Sequence, residues 1–182
     1  MNLETTDIKD LVILTPTVFA DERGYFMESF NANKLKELGI NFDFVQDNQS
    51  FSQKGTLRGL HYQNPPYAQT KLVRVLEGEI LDVAVDLRKD SPTYGQSYSI
   101  VLTAENKKQL LVPQGFAHGF SVLSDTAIVL YKCDQFYHKE SEGGIRFDDS
   151  TLNIDWGMDL KDAIVSEKDK VLPSFAECNS QF

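Results

Sequence analysis

Eight short runs rich in β-branched and aromatic residues, separated by turn residues, constrain this chain more than any other feature: 11–19, 26–30, 73–76, 80–87, 98–102, 109–112, 119–123 and 127–133. Runs of that length and spacing predict a mainly β chain, an antiparallel barrel or jelly roll of the cupin type with a few short helices. The clearest run is ILDVAVDLR. Its alternation sets Leu81, Val83, Val85 and Leu87 on one face for the core, and leaves Asp82, Ala84 and Asp86 on a face free to meet a cavity. One helix is expected near the N-terminus, capped by Asn31, continued by Lys34, Leu35 and Leu38, and ended at Gly39. The tail after Trp156 is expected to form short helical turns, with Ser166 and Asp169 at capping-box spacing and Pro173 limiting their length.

No linker, repeat or shift in composition divides the 182 residues, so a single domain over 1–182 is expected. Against 18 Lys and Arg stand 27 Asp and Glu, a net charge of -9, which argues against a nucleic-acid or anionic-membrane surface. Any polyanionic ligand must then be held by a local cluster of cations. No apolar run approaches the roughly 18 residues of a membrane helix, and MNLETTDIKD lacks a basic region leading into an apolar stretch, so the expected location is cytoplasmic. Cys133 and Cys178 are too far apart, and too few, to indicate a disulfide framework or a zinc site.

The cationic cluster is found in LRGLHYQNPPYAQTK, residues 57–71. Pro65 and Pro66 forbid a continuous helix, so Arg58, His61 and Lys71 fall on strand ends and a loop, where they can converge on an anion. A second segment, VPQGFAHGF at 112–120, carries a Pro-x-Gly-x-x-His pattern in Pro113, Gly115 and His118 that resembles the second motif of the cupins. In metal-binding cupins that histidine joins a His-x-His pair and a glutamate. Here Tyr62 and Gln63 follow His61, and Lys71 stands where the glutamate would be expected. A lysine ammonium repels a divalent cation and attracts an oxyanion, so no metal is expected. A histidine beside such a cation suits removal of a proton next to a carbonyl: the imidazole is the base near neutral pH and the lysine stabilises the enolate. Inversion then needs a donor on the opposite face, for which a tyrosine serves.

Longer motifs narrow the resemblance. FADERGYFMESF (19–30), FVQDNQSFSQKGTLRGLHYQ (44–63), QTKLVRVLEGEILDVAVDLRKDSPTYG (69–95), VPQGFAHGF, LYKCDQFY (130–137) and SEKD (166–169) together resemble the dTDP-4-dehydrorhamnose 3,5-epimerase family along nearly the whole chain. The resemblance implies that His61 is the general base, Asp169 its dyad partner, Lys71 the enolate-stabilising cation and Tyr131 the acid. It further implies that Arg58, with Gln46 and Asn48, contacts the diphosphate, that Tyr137 stacks on the thymine, and that His118 and Lys168 complete the polar lining. Asp47 and Glu142 join these substrate-contacting positions. Arg23 and Glu28 are implied to reach a neighbouring subunit's pocket through exchanged N-terminal strands, which makes a homodimer. The resemblance implies no organic cofactor either.

Each residue taken singly has a plainer explanation: a structural histidine for His61 or His118, a surface lysine for Lys71, a core tyrosine for Tyr131, a solvated strand pair for Arg23 and Glu28. Capping alone accounts for Asp169, and the two roles are compatible only if its carboxylate turns toward His61. The expected activity is inversion of C3 and C5 of a 4-keto-6-deoxy sugar on thymidine diphosphate, giving the precursor of dTDP-rhamnose. The alternatives are inversion at C3 only, a 3,4-ketoisomerase, and a cupin that binds a nucleotide sugar without turnover.

Overall fold

The computed structural model describes all 182 residues. Its strands are β1 (Asn2–Thr5), β2 (Val12–Thr15), β3 (Val18–Asp21), β4 (Gly24–Met27), β5 (Gln46–Gln53), β6 (Thr56–Gln63), β7 (Lys71–Glu77), β8 (Glu79–Asp86), β9 (Ser97–Thr103), β10 (Gln109–Val112), β11 (Phe116–Val122), β12 (Thr126–Cys133), β13 (Glu142–Gly144) and β14 (Ile164–Val165). One sheet runs β1-β2-β10-β7-β12-β5; the other runs β13-β6-β11-β8-β9, with β14 also pairing to β6. All pairings are antiparallel except that of β14 with β6. The two sheets face each other over Val73, Val75, Ala84, Leu110, Phe116, Phe120 and Val129, the arrangement of a jelly roll.

The alternation read in ILDVAVDLR holds. Val83, Val85 and Leu87 face outward, where the C-terminal segment covers them with the buried Trp156, while Ile80 and Ala84 face the other sheet. Asp82 shares that inner side and is fully buried. On the outside of the first sheet, Leu14, Leu72 and Leu111 receive Leu35 and Ile40 from around helix α1 (Ala32–Glu37). Asn31 Oδ1 caps this helix by accepting the Asn33 and Lys34 N–H groups at 3.0 and 3.1 Å, and Gly39 leaves it at φ +82.

Several strands depart from the expected runs, among them β6, which none of the runs covers and which sets Arg58 and His61 within a strand rather than at strand ends. The run 11–19 divides into β2 and β3, with Pro16 between them, and β3 pairs only with β4 as a separate hairpin. Strand β5 (QDNQSFSQ) is almost wholly polar, yet it pairs with β12 through eight positions from Thr126↔Gln53 to Cys133↔Gln46. No helix is long and apolar enough to cross a membrane.

Candidate active site

Both sheets contribute walls to a polar hollow. Strand β6 supplies Arg58 and His61, β11 supplies His118, β7 supplies Lys71 and β12 supplies Tyr131. Helix α2 (Glu167–Lys170) adds Lys168 and Asp169. The main cavity measures about 710 Å³, and an adjoining one of about 350 Å³ shares His61, Lys71 and Tyr131 with it.

Close contact between β6 and β11 sets one wall. Gly59 has φ +110, and a Cβ there would fall 2.7 Å from both Gly119 Cα and His118 O, so only glycine allows the strands this approach. Across it, His61 and His118 are register partners. The parallel pairing Ile164↔Thr56 and Val165↔Leu57 lays β14 along β6 and starts α2 beside His61. Ser166 Oγ accepts the Asp169 N–H at 3.1 Å, so the cap is met by the serine and the Asp169 carboxylate is free to turn inward. Its Oδ1 lies 2.6 Å from His61 Nε2, and its Oδ2 accepts the Gly59 N–H at 3.3 Å. Burial opposes the charge on Asp169, but the His61 bond and the Gly59 amide outweigh it and hold the carboxyl below its ordinary range. An ionised carboxylate on Nε2 fixes that nitrogen as the N–H and leaves Nδ1 as the basic atom.

Lys71 opens β7 on the opposite sheet, with its Nζ 5.9 Å from the centroid of the Tyr131 ring. It makes no ion pair. Burial pushes its ammonium down, partly offset by Cys133, Asp82 and Glu142 nearby. Burial raises the Tyr131 phenol, with Cys133 adding to it and Arg58 opposing, so the group stays protonated well into alkaline solution. Arg58 donates from Nε to Ser52 Oγ at 3.2 Å and has no carboxylate partner, so its guanidinium retains most of its capacity for an anion.

A second histidine–carboxylate pair stands behind the same hollow: His118 lines it, and its Nε2 is 2.8 Å from Oδ1 of the fully buried Asp82. Asp82 is the residue of the site that sequence reading missed as a participant. Its signal was present, because an aspartate on the inner face of an apolar strand requires a polar partner.

In the smaller cavity, the Tyr137 hydroxyl donates to Glu142 Oε2 at 2.9 Å, and Lys168 Nζ lies 2.5 Å from Glu142 Oε1. Burial opposes ionisation of Glu142, but Lys168 and Tyr137 prevail and hold it below its ordinary range. Gln46 donates to Asn48 Oδ1 at 2.9 Å and accepts the Tyr137 N–H at 3.2 Å. Gln46 and Asn48 therefore line the cavity of Tyr137, on the other side of the shared residues from Arg58.

Three of the expected contact residues lie outside both cavities. Asp47 alternates outward from Asn48 and pairs with Lys132 at 2.9 Å. Arg23 pairs with Asp21 at 2.5 Å at the exposed turn of the β3–β4 hairpin, and Glu28 pairs with Lys34 at 2.7 Å. Elsewhere, no three His, Cys, Asp or Glu side chains converge as a cation site.

The arrangement can take a proton from a carbon on one side, hold negative charge on an oxygen, and return a proton from the other side. Known proteins agree with that chemistry. The sequence model described as dTDP-4-dehydrorhamnose 3,5-epimerase matches residues 5–177. The dTDP-4-dehydrorhamnose 3,5-epimerase of Shigella flexneri is 54% identical over 170 residues, 93% of each chain. A crystal structure of the enzyme of that name from Elizabethkingia anophelis superposes with a TM-score of 0.93 at 57% identity, covering 97% of each chain. That of the Legionella pneumophila 3,5-epimerase, solved with dTDP-4-keto-L-rhamnose, gives 0.92 at 50% identity, covering 97% of this chain and 93% of the other. This chain belongs to the dTDP-4-dehydrorhamnose 3,5-epimerase family of isomerases.

Proposed function

We propose that this protein converts dTDP-4-dehydro-6-deoxy-D-glucose to dTDP-4-dehydro-L-rhamnose by inverting C3 and C5 through enolates, with His61, Asp169, Lys71 and Tyr131 as the catalytic set. The observation that carries this reading is their division between facing walls: His61 and Asp169 belong to the β6 side, Lys71 and Tyr131 to the other sheet. A sugar ring between the sheets has a base on one face and an acid on the other. His61 Nδ1 takes the proton from C3 or C5, and the C–H electron pair becomes the enolate double bond as the C4 carbonyl oxygen gains negative charge. Lys71 stabilises that oxygen. As the enolate reverts to the ketone, the carbon takes the Tyr131 proton from the opposite face, and the imidazolium and tyrosinate return to their starting forms by proton exchange with water. Every step is a proton transfer, so atoms and electrons balance without a redox partner.

Arg58 holds the diphosphate, Tyr137 offers its ring to the thymine, and Gln46, Asn48, Glu142, Lys168 and His118 supply polar contacts along the two cavities. Asp47 acts through its place beside Asn48 and its pair with Lys132. The N-terminal hairpin supports a homodimer: β3 and β4 pair with no other strand of their own chain and expose Phe19 (63%) and Phe26 (69%). Exchange of this segment would carry Arg23 and Glu28 into a second copy's site. Incubation with the keto sugar nucleotide tests the reaction: proton coupling constants of the product should report inversion at both centres. An unchanged sugar would overturn the proposal.

A further inference from the structure

Tyr137, 55% exposed, stands on an exposed loop, yet its backbone is bracketed on both sides by a single buried side chain. The Gln63 carboxamide is 5% exposed. Its Oε1 accepts the His138 N–H at 2.8 Å, and its Nε2 donates to Phe136 O at 3.3 Å and to Tyr67 O at 2.6 Å. The residues before and after Tyr137 are thus tied to one amide, and that amide also ties the 64–70 loop. Between the ties, the Tyr137 N–H goes to Gln46 Oε1. Further links close the two loops on each other: Tyr67 stacks on His138 at 3.8 Å and 12°, Gln69 Nε2 donates to Gln135 O at 2.8 Å, and Asp134 Oδ1 accepts the Thr70 N–H at 2.6 Å. Of these, only Gln63 bonds on both sides of Tyr137.

We infer that Gln63 is a positioning residue for nucleotide recognition: it holds the loop that presents the Tyr137 ring, and acts on the base through that ring without touching the reacting atoms. The inference rests on the proposed contact of Tyr137 with the thymine. A solvent-exposed loop is ordinarily free to move, so an aromatic platform on it loses affinity to the cost of ordering. Two hydrogen bonds from a rigid strand, only two residues beyond His61, remove part of that cost before the ligand arrives. They also fix the platform relative to the base, because Gln63 and His61 share strand β6. The position is notable chemically: the second residue after His61 is where the His-x-His pattern would place a metal ligand, and here a carboxamide satisfies backbone instead.

The test uses Gln63→Met, which keeps the length and removes every bond, and Gln63→Glu, which keeps the acceptor for His138 and loses the donors. Binding of dTDP alone and steady-state turnover of the keto sugar nucleotide are measured, together with hydrogen exchange of the backbone amides. The dTDP Kd and the KM should both rise about tenfold in Gln63→Met and at least as much in Gln63→Glu, whose buried carboxylate would face the Tyr67 and Phe136 carbonyl oxygens, with kcat within twofold of wild type. Amides of Tyr137 and His138 should exchange at least tenfold faster, while those of β6 stay protected. Tyr137→Ala should weaken dTDP binding, and adding Gln63→Met to it should cost nothing further. An unchanged dTDP Kd in Gln63→Met, alongside a weakened Tyr137→Ala, would overturn the clip while leaving the platform intact. So would additive losses in the double variant, or a fall in kcat at unchanged Kd. An unchanged Kd in Tyr137→Ala would instead remove the platform reading, and the inference with it.

Discussion

His61 Nε2 lies 2.6 Å from Asp169 Oδ1, although the two residues are 108 positions apart in the chain. The short parallel pairing of β14 with β6 brings them together, and the Ser166 cap sets the carboxylate's angle. The pair fixes which nitrogen of the imidazole carries the proton, and so which one can take another.

Asp169→Asn should therefore keep the fold and lose the base. An asparagine amide that donates to Nε2 places the ring proton on Nδ1, the wrong tautomer for abstraction. By analogy with other histidine dyads the fall in kcat is about 10²- to 10⁴-fold. Wash-in of solvent deuterium at C3 and C5 should fall with it, while dTDP affinity stays close to wild type.

Lys71→Ala should lower turnover more than ground-state affinity, because the charge it meets exists only as the enolate forms. A loss of about 10²- to 10³-fold in kcat is in keeping with removal of one oxyanion-stabilising group. The pH profile gives a second check. Burial lowers the Lys71 pKa, so its ammonium loses its proton at a lower pH than an ordinary lysine, while burial holds the Tyr131 proton above the ordinary phenol range. Turnover should decline on an alkaline limb below the ordinary lysine value of about 10.4. Lys71→Arg, if active, should move that limb upward.

For Arg58→Ala the expectation reverses. Loss of a charge-assisted bond of about 1.5–3 kcal/mol should raise the Kd for dTDP roughly 10- to 100-fold and change kcat much less. Calorimetry with dTDP, free of turnover, reads this directly.

Asp86, fully buried at the end of β8, should govern acid stability. Burial alone would raise its pKa, but bonds from Arg88, Ser91 and Thr93 bring it down to about 2. A folded-state value below the unfolded one, about 3.9, means that the stabilisation is complete above that range and is lost as pH falls from about 4 to about 2. Asp86→Ala should cost about 1–3 kcal/mol at pH 7, because the bonds from Arg88, Ser91 and Thr93 are lost while Arg88 keeps its pair with Asp10. Urea titrations at pH 7 and pH 3 should show a smaller difference between the two pH values for the variant than for wild type.

The sheet architecture was legible wherever one strand face is apolar. Alternation in 80–87 assigned Val83 and Val85 correctly to packing and left Asp82 facing the interior, where it meets His118. Strand β5 was not legible, because Gln46, Asn48, Ser50 and Ser52 face the interior side while Asp47, Gln49 and Gln53 face water. A strand between a polar cavity and solvent has no hydrophobic period to read. The same alternation sends Asp47 outward, which residue type alone did not indicate. The contact of Asp169 with His61 depends on a two-residue parallel strand that carries almost no local signal. It was accessible through the resemblance of whole motifs, and the Ser166 spacing by itself accounted only for the cap.

The most direct test is to run the reaction in D2O and follow the sugar by proton NMR. One base at His61 and one oxyanion site at Lys71, serving both carbons beside the C4 carbonyl, predict deuterium at C3 and at C5 of the product, with both centres inverted. Deuterium confined to C3, or a sugar that exchanges no proton, would contradict the account.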